Sequence, residues 1–154
     1  MKNIIAVVTA VFMVSALYVT VGAQAGATAG AQAGAPAAAA GGAKSVKAGV
    51  YTAAQAMRGE AIYKDQCAAC HGEDLAGSGP MPPLAGTDFV KNWKNVGDLF
   101  DKIHSSMPAS SPGSLTEAQT ADVIAYILSV GKYPAGQTEL EGKMDTLTTI
   151  TIEP

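Results

Sequence analysis

Two cysteines and a histidine in the segment 67–71, which is CAACH, have the clearest chemical potential in this sequence. Cysteines three positions apart can form thioethers to the two vinyl groups of a haem. A histidine directly after the second cysteine lies where its imidazole can bind the haem iron. The spacing therefore predicts one covalently attached haem c, held by Cys67, Cys70 and His71.

Three other uses of a cysteine pair fit this sequence less well. A zinc site needs two further ligands, but the chain has no third cysteine, and His104 is its one other histidine. A thioredoxin-type dithiol belongs in a βαβ context, whereas this motif is predicted to end a helix and enter a loop. A disulfide between Cys67 and Cys70 would close a loop of two residues and would constrain the chain little.

Helical patterns on both sides of the motif predict an all-α domain that positions it. Apolar spacing predicts a helix over 53–66 with Thr52 as its N-cap, and a second helix over 96–105. A third helix begins at Thr116 with the capping box TEAQ and ends near Gly131. Four glycines and three prolines predict an irregular loop over 72–86, and alternation over 146–152 predicts a short extended segment.

From about residue 50 to residue 133, the chain resembles a class I (mitochondrial-type) cytochrome c domain as found in bacteria. The resemblance rests on Gly59 and Tyr63, on CAACHG, on PPLAG at 82–86, on MP at 107–108, on PGSL at 112–115 and on AYIL at 125–128. It implies a small helical domain wrapped around one haem. Its N-terminal helix would cross a C-terminal helix, with Gly59 and Tyr63 facing Tyr126.

The resemblance also implies the remaining haem contacts. Met107 matches the methionine that binds the second axial position of the iron, and thioether sulfur raises the reduction potential relative to a second imidazole. Pro82 matches the carbonyl that accepts the hydrogen bond of the proximal histidine, and Leu84 would pack on the haem edge. His104 stays open as an alternative ligand.

The other methionines of the mature chain suit the ligand role less well than Met107. Met57 lies in a predicted helix, Met81 follows the motif too closely, and Met144 lies in the tail. Two aromatic side chains with polar tips, Trp93 and Tyr63, could reach haem propionates or could be core residues.

The N-terminus predicts export. Lys2 precedes an apolar run over 4–21, and Ala23-Gln24-Ala25 fits a cleavage site, so 1–25 is predicted to be a signal peptide, with an uncleaved anchor as the alternative. An Ala/Gly-rich disordered linker is expected over 26–49, a cytochrome c domain over 50–135 and a C-terminal extension over 136–154.

These features together predict an exported electron carrier that is not an enzyme. The net charge is −3 and the chain has no basic run, which argues against nucleic-acid binding. The expected partners are redox proteins in the periplasm. The alternatives are a membrane-tethered haem subunit of a dehydrogenase or oxidase, a small haem peroxidase and a gas sensor.

Overall fold

The computed structural model describes residues 45–154, and this part of the chain is helical. A 3₁₀ turn at Val46–Ala48 comes first. The helices are α1 (Ala53–Gln66), α2 (Ala68–His71), α3 (Thr87–Val90), α4 (Val96–Ser106), α5 (Glu117–Val130) and α6 (Met144–Leu147). Strand pairing within 45–154 is limited to isolated bridges. The predicted all-α fold is confirmed, whereas the predicted signal segment and most of the predicted linker lie outside the described residues.

The two long helices begin where their capping residues indicate. The Thr52 hydroxyl accepts a hydrogen bond from the Gln55 amide at 3.1 Å, which starts α1. At α5 the Thr116 hydroxyl accepts from the Gln119 amide, and the Gln119 side chain accepts from the Thr116 amide at 2.9 Å. This is the reciprocal capping box that the sequence predicts. No helix in 45–154 has the combination of length and apolarity that crossing a membrane requires.

The central contact of the fold is the crossing of α1 and α5 at Gly59. A Cβ atom added to Gly59 would lie 1.8 Å from the carbonyl oxygen of Asp122. One turn further along, the rings of Tyr63 and Tyr126 meet with centroids 5.3 Å apart. The helices can therefore approach this closely only because residue 59 has no side chain.

Helix α5 ends at Gly131, as the sequence predicts, and the left-handed residue follows it. Gly131 has an ordinary φ of −67°, while Lys132 has a φ of 66°. The Tyr133 amide donates to Leu128 and the Lys132 amide donates to Ser129, which is the hydrogen-bond pattern of a Schellman motif. The C-cap is therefore Gly131, and Lys132 takes the left-handed position directly after it.

The C-terminal segment differs from the prediction of an extended strand over 146–152. Helix α6 includes Thr146 and Leu147, and a bridge partner is found only at Thr151, which pairs with Ser45 and Asn95. Four apolar side chains of the segment are buried in the common core: Leu140, Leu147, Ile150 and Ile152. Burial of these side chains, and not strand pairing, determines the path of the tail.

Polar contacts also fasten this segment to α1. The buried Gln55 amide group donates to the Leu140 carbonyl and accepts from the Leu140 amide, both at 2.8 Å. Arg58 donates two hydrogen bonds to Asp122 of α5 and two to Glu139. The hydrogen bonds from Arg58 hold the pKa of Glu139 below its usual value. The tail is therefore connected to both crossing helices.

Replacing Gly59 with alanine tests the crossing. Alanine favours a free helix over glycine by about 1 kcal/mol. In this fold its methyl group would collide with the Asp122 carbonyl, so Gly59→Ala should lower the free energy of unfolding by more than about 2 kcal/mol. Denaturant unfolding measures the change. Ala61→Gly in the exposed part of α1 is the control, with an expected loss of about 1 kcal/mol; equal effects of the two variants would contradict the crossing.

Truncating Leu147 tests whether the tail belongs to the folded domain. Leu147 is fully buried, whereas Met144 in the same short helix is 42% exposed. We expect Leu147→Ala to cost about 2–5 kcal/mol in the free energy of unfolding, and Met144→Ala less than about 0.5 kcal/mol. Thermal unfolding of the two variants checks this. A tail that packs only loosely would give two small and similar effects.

Candidate haem-binding site

The CAACH segment lies where α1 ends and α2 begins. The Cys67 amide still donates to Tyr63 in the last turn of α1, while the amides of Cys70 and His71 donate to the Cys67 carbonyl. Both thiols are free, with Cys67 half-buried and Cys70 exposed. Burial raises the pKa of Cys67 to about 11. The first thiol is therefore neutral at ordinary pH, and the turn presents both sulfurs on one short stretch of backbone.

His71 is oriented by the loop that follows it. Its side chain is buried, and Nδ1 lies 3.0 Å from the carbonyl oxygen of Pro82. A carbonyl only accepts, so Nδ1 carries the hydrogen, which leaves Nε2 as the ring nitrogen that can bind a metal. The contact between His71 and Pro82 expected from the sequence is present, and it fixes the tautomer that can bind iron.

Backbone contacts within the loop bring Pro82 back to the histidine. The Gly77 amide donates to the His71 carbonyl at 2.9 Å, and the Leu84 amide donates to Leu75 at 2.8 Å. Gly77 has a φ of +82°, and a Cβ there would lie 2.5 Å from the Met81 carbonyl. Only glycine fits this close approach, which lets the loop fold under the histidine. Leu84 is half-buried against the core.

Tyr63 is a structural residue of the site. Its ring is fully buried, and its hydroxyl donates to the Gly72 carbonyl at 2.7 Å. Burial raises the Tyr63 pKa to about 12, so the hydroxyl stays protonated. Its one hydrogen is donated to this carbonyl and its ring is buried, which favours the core-residue alternative over contact with a propionate. Its role is to connect α1 to the residue that follows His71.

Trp93 has a buried hydrogen-bond donor for which residues 45–154 provide no acceptor. Its indole Nε1 is inaccessible to water and has no hydrogen-bond partner within 45–154. The ring packs against Phe89 with centroids 6.0 Å apart. Buried indole nitrogens usually find an acceptor. A carboxylate of a bound cofactor is an acceptor of the right chemistry, which is the first sign that the site fits a haem.

Met107 is the methionine whose surroundings suit an iron ligand. It caps the C-terminus of α4, where its amide donates to Ile103 at 2.9 Å, and its side chain packs against the core. The other three methionines of the described chain face solvent, with exposed fractions of 66% for Met57, 42% for Met144 and 38% for Met81. A ligand must be held inside the fold, so the structure favours Met107.

His104 is engaged on another side of α4. Its Nδ1 lies 3.3 Å from the Thr120 hydroxyl, which itself donates to Thr116, so His104 donates to Thr120. Its ring stacks on Phe100 at 5.5 Å. The side chain lines a cleft between α4, the start of α5 and the tail, and no residue of the CAACH motif lines that cleft. No local sequence pattern indicates Thr120, which is fully buried and sets the direction of this histidine.

The described residues fit a covalently bound haem. The structure supplies two free thiols, a histidine with an available Nε2, a core-packed methionine and an indole donor without an acceptor. It brings Cys67, Cys70, His71 and Pro82 together through the α1–α2 turn and the loop. No group of side chains within 45–154 forms a separate metal site.

Comparison with known proteins identifies the same region. Residues 54–127 match the family described as "Cytochrome C oxidase, cbb3-type, subunit III". Cytochrome c-551 of Bacillus subtilis is 37% identical over 90 residues, covering 54% of this chain and 70% of the relative. Cytochrome c6 of Synechocystis is 34% identical over 80 residues, covering 49% of this chain and 66% of the relative.

Two larger proteins are similar over part of their length. Thiosulfate dehydrogenase of Stutzerimonas stutzeri is 36% identical over 97 residues, which is 57% of this chain and 31% of the relative. The sulfane dehydrogenase SoxCD from Paracoccus pantotrophus contains a chain that superposes with a TM-score of 0.53 at 25% identity. That match covers 63% of this chain and 52% of the SoxCD chain. This chain thus spans about a third of the first protein and about half of the second.

Removing one hydroxyl tests the link between Tyr63 and the loop. Tyr63→Phe leaves the Gly72 carbonyl without its partner and should lower the free energy of unfolding by about 1 kcal/mol. The hydroxyl of Tyr126, in contact with the same ring, has no hydrogen bond within 45–154, so Tyr126→Phe should be nearly neutral. Denaturant unfolding of the matched pair decides the point; a neutral Tyr63→Phe would contradict the link.

Proposed function

Because the chain belongs to the class I c-type cytochromes, we propose that it carries single electrons between redox proteins in the periplasm. The resemblance found in the sequence is confirmed at the level of the family, and members of this family hold haem c covalently. The observation that carries the proposal is the position of Met107. It is partly buried against the core at the end of α4, while His104 is hydrogen-bonded to Thr120.

Four side chains of the site are proposed to hold the haem. Cys67 and Cys70 would form the thioethers, and His71 and Met107 would bind the iron. When bound, the haem supplies a reversible change of one electron at its iron. The chain supplies the rest: Pro82 holds the proton on Nδ1 of His71, Leu84 packs against the haem edge, and the core side chains exclude water.

Ligation on both sides of the iron favours a carrier over an enzyme. A peroxidase or a gas sensor needs an open or labile iron position. His104 is the one histidine that could serve as an acid–base group near a distal site in 45–154, and its hydrogen bond to Thr120 directs it into a different cleft. The proposed activity is therefore electron transfer without substrate chemistry.

The second candidate is a haem subunit of a dehydrogenase or oxidase. The matching family is named for an oxidase subunit, and two similar proteins are named as dehydrogenases. Under this reading the site and its chemistry are unchanged, and the partner is held permanently. The proposed signal or anchor over 1–25 and the linker over 26–49 would connect the domain to such a complex.

Membrane fractionation of the native protein separates the two candidates. A free carrier is processed after residue 25 and is recovered with the periplasmic fraction. A tethered subunit keeps its N-terminus and is recovered with membranes. N-terminal sequencing of each fraction shows which form carries the haem.

Replacing Met107 tests the proposed ligand set. The oxidised protein should show the weak far-red charge-transfer band of sulfur bound to ferric iron, and Met107→Ala should abolish it. The variant should also have a lower reduction potential, because the thioether that raises it is gone. His104→Ala is the control and should retain the band. A wild-type protein without the band, or loss of the band in His104→Ala alone, would contradict the assignment.

A further inference from the structure

The surface beside the CAACH motif is where an electron can leave the proposed carrier. A haem joined to Cys67 and Cys70 would lie next to these residues, and Cys70 is exposed. Electron transfer between proteins requires close approach to such an edge. The character of the surrounding side chains therefore decides which partners can dock.

An open groove borders the motif on one side. It has a volume of about 560 Å³ and runs between the end of α1 and the segment that leads into α5. Its lining is polar or small apart from Ile62 and Leu115, and Asp65 is its one charged residue. Gln66, which also lines it, is the residue directly before Cys67. The groove therefore ends at the residue that adjoins the CAACH motif in the chain.

Basic side chains are absent from the two segments that surround the site. The stretches 65–90 and 103–131 contain no lysine and no arginine. They contain six carboxylates, of which Asp88 and Asp122 are neutralised by Lys91 and Arg58. The four that form no ion pair within 45–154 are Asp65, Glu73, Asp74 and Glu117. Two of them, Asp65 and Glu73, flank the motif at two residues from Cys67 and from His71.

The basic residues of the described chain are elsewhere or already paired. Lys64, the nearest in sequence, is bound to Glu60 one turn back along α1 at 2.7 Å. Lys143 is bound to Glu141 in the tail. The exposed carboxylates Asp65, Glu73 and Asp74 are therefore not neutralised by an ion pair within 45–154.

We propose that Asp65, Glu73 and Asp74, together with the groove, form a docking face for a redox protein whose own docking surface carries lysine and arginine. This inference rests on the proposed carrier function and adds the charge of the partner. Charges around an interface steer the encounter and raise the association rate, and small electron-transfer interfaces depend strongly on this steering.

Small oxidants of opposite charge test the face without knowledge of the natural partner. The reduced holoprotein gives one electron to tris(phenanthroline)cobalt(III), which becomes the cobalt(II) complex, or to hexacyanoferrate(III), which becomes hexacyanoferrate(II). We expect the rate with the cobalt cation to fall as salt is added and the rate with the anion to rise. Opposite trends would overturn the proposal.

A matched pair of Glu→Lys variants locates the effect. Glu73 and Glu153 are both exposed. Glu153 follows Ile152, whose amide donates to the Lys94 carbonyl just before α4, whereas Met107 lies at the other end of α4. Glu153 therefore serves as the control. At about 0.1 M salt only charges within about 10 Å of the encounter count. Glu73→Lys should then slow the cobalt reaction about fivefold, and Glu153→Lys less than about 1.5-fold.

A second readout does not depend on electron transfer. Hexaamminechromium(III), a paramagnetic cation, should broaden the amide NMR signals around Asp65, Glu73 and Asp74, and Asp65→Lys should weaken this broadening. Broadening spread evenly over the domain, or equal rates for the two Glu→Lys variants, would overturn the docking face. In either case reaction with both oxidants would leave the carrier function intact, whereas a protein that reacts with neither would refute that function.

Discussion

The close contact of α1 with α5 at Gly59 is the constraint on which the rest of the structure depends. With no side chain at residue 59, the backbone of Asp122 can pack directly on α1. This fixes the direction of α1, and Tyr63 and Cys67 follow at intervals of one turn along it. Tyr63 then reaches the Gly72 carbonyl, so one helix crossing positions both ends of the CAACH segment.

The second constraint acts on the histidine through backbone atoms. His71 depends on a carbonyl of Pro82, which depends on Gly77 and Leu84 to close the loop. Proline at residue 82 cannot donate a hydrogen bond, so it offers only an acceptor and fixes the local φ. The backbone of the loop therefore orients the His71 ring, and the loop needs glycine at residue 77 to close. This explains how a glycine- and proline-rich segment can form a rigid site.

Local signals determined which parts of the structure the sequence predicted well. Thr52, the TEAQ box and the apolar spacing are properties of neighbouring residues, and they gave the start and length of α1, α4 and α5 to within one residue. The prediction of an extended segment was wrong at 146–147. Short helices have weak periodicity, and the position of Leu147 is determined by burial against distant residues. The direction of His104 depends on Thr120, sixteen positions away, and no local pattern encodes such a contact.

The described ends of the chain meet at the start of α4, and this bears on both proposed roles. Ser45 and Asn95 pair with Thr151 beside the start of α4, whereas Met107 lies at its far end. Eleven helical residues separate these points by about 16 Å. A linker attached before Ser45 would therefore join the domain at the opposite end of α4 from Met107. In either proposed role, as a diffusing carrier or as a tethered subunit, the attachment point and the proposed ligand Met107 would be at opposite ends of this helix.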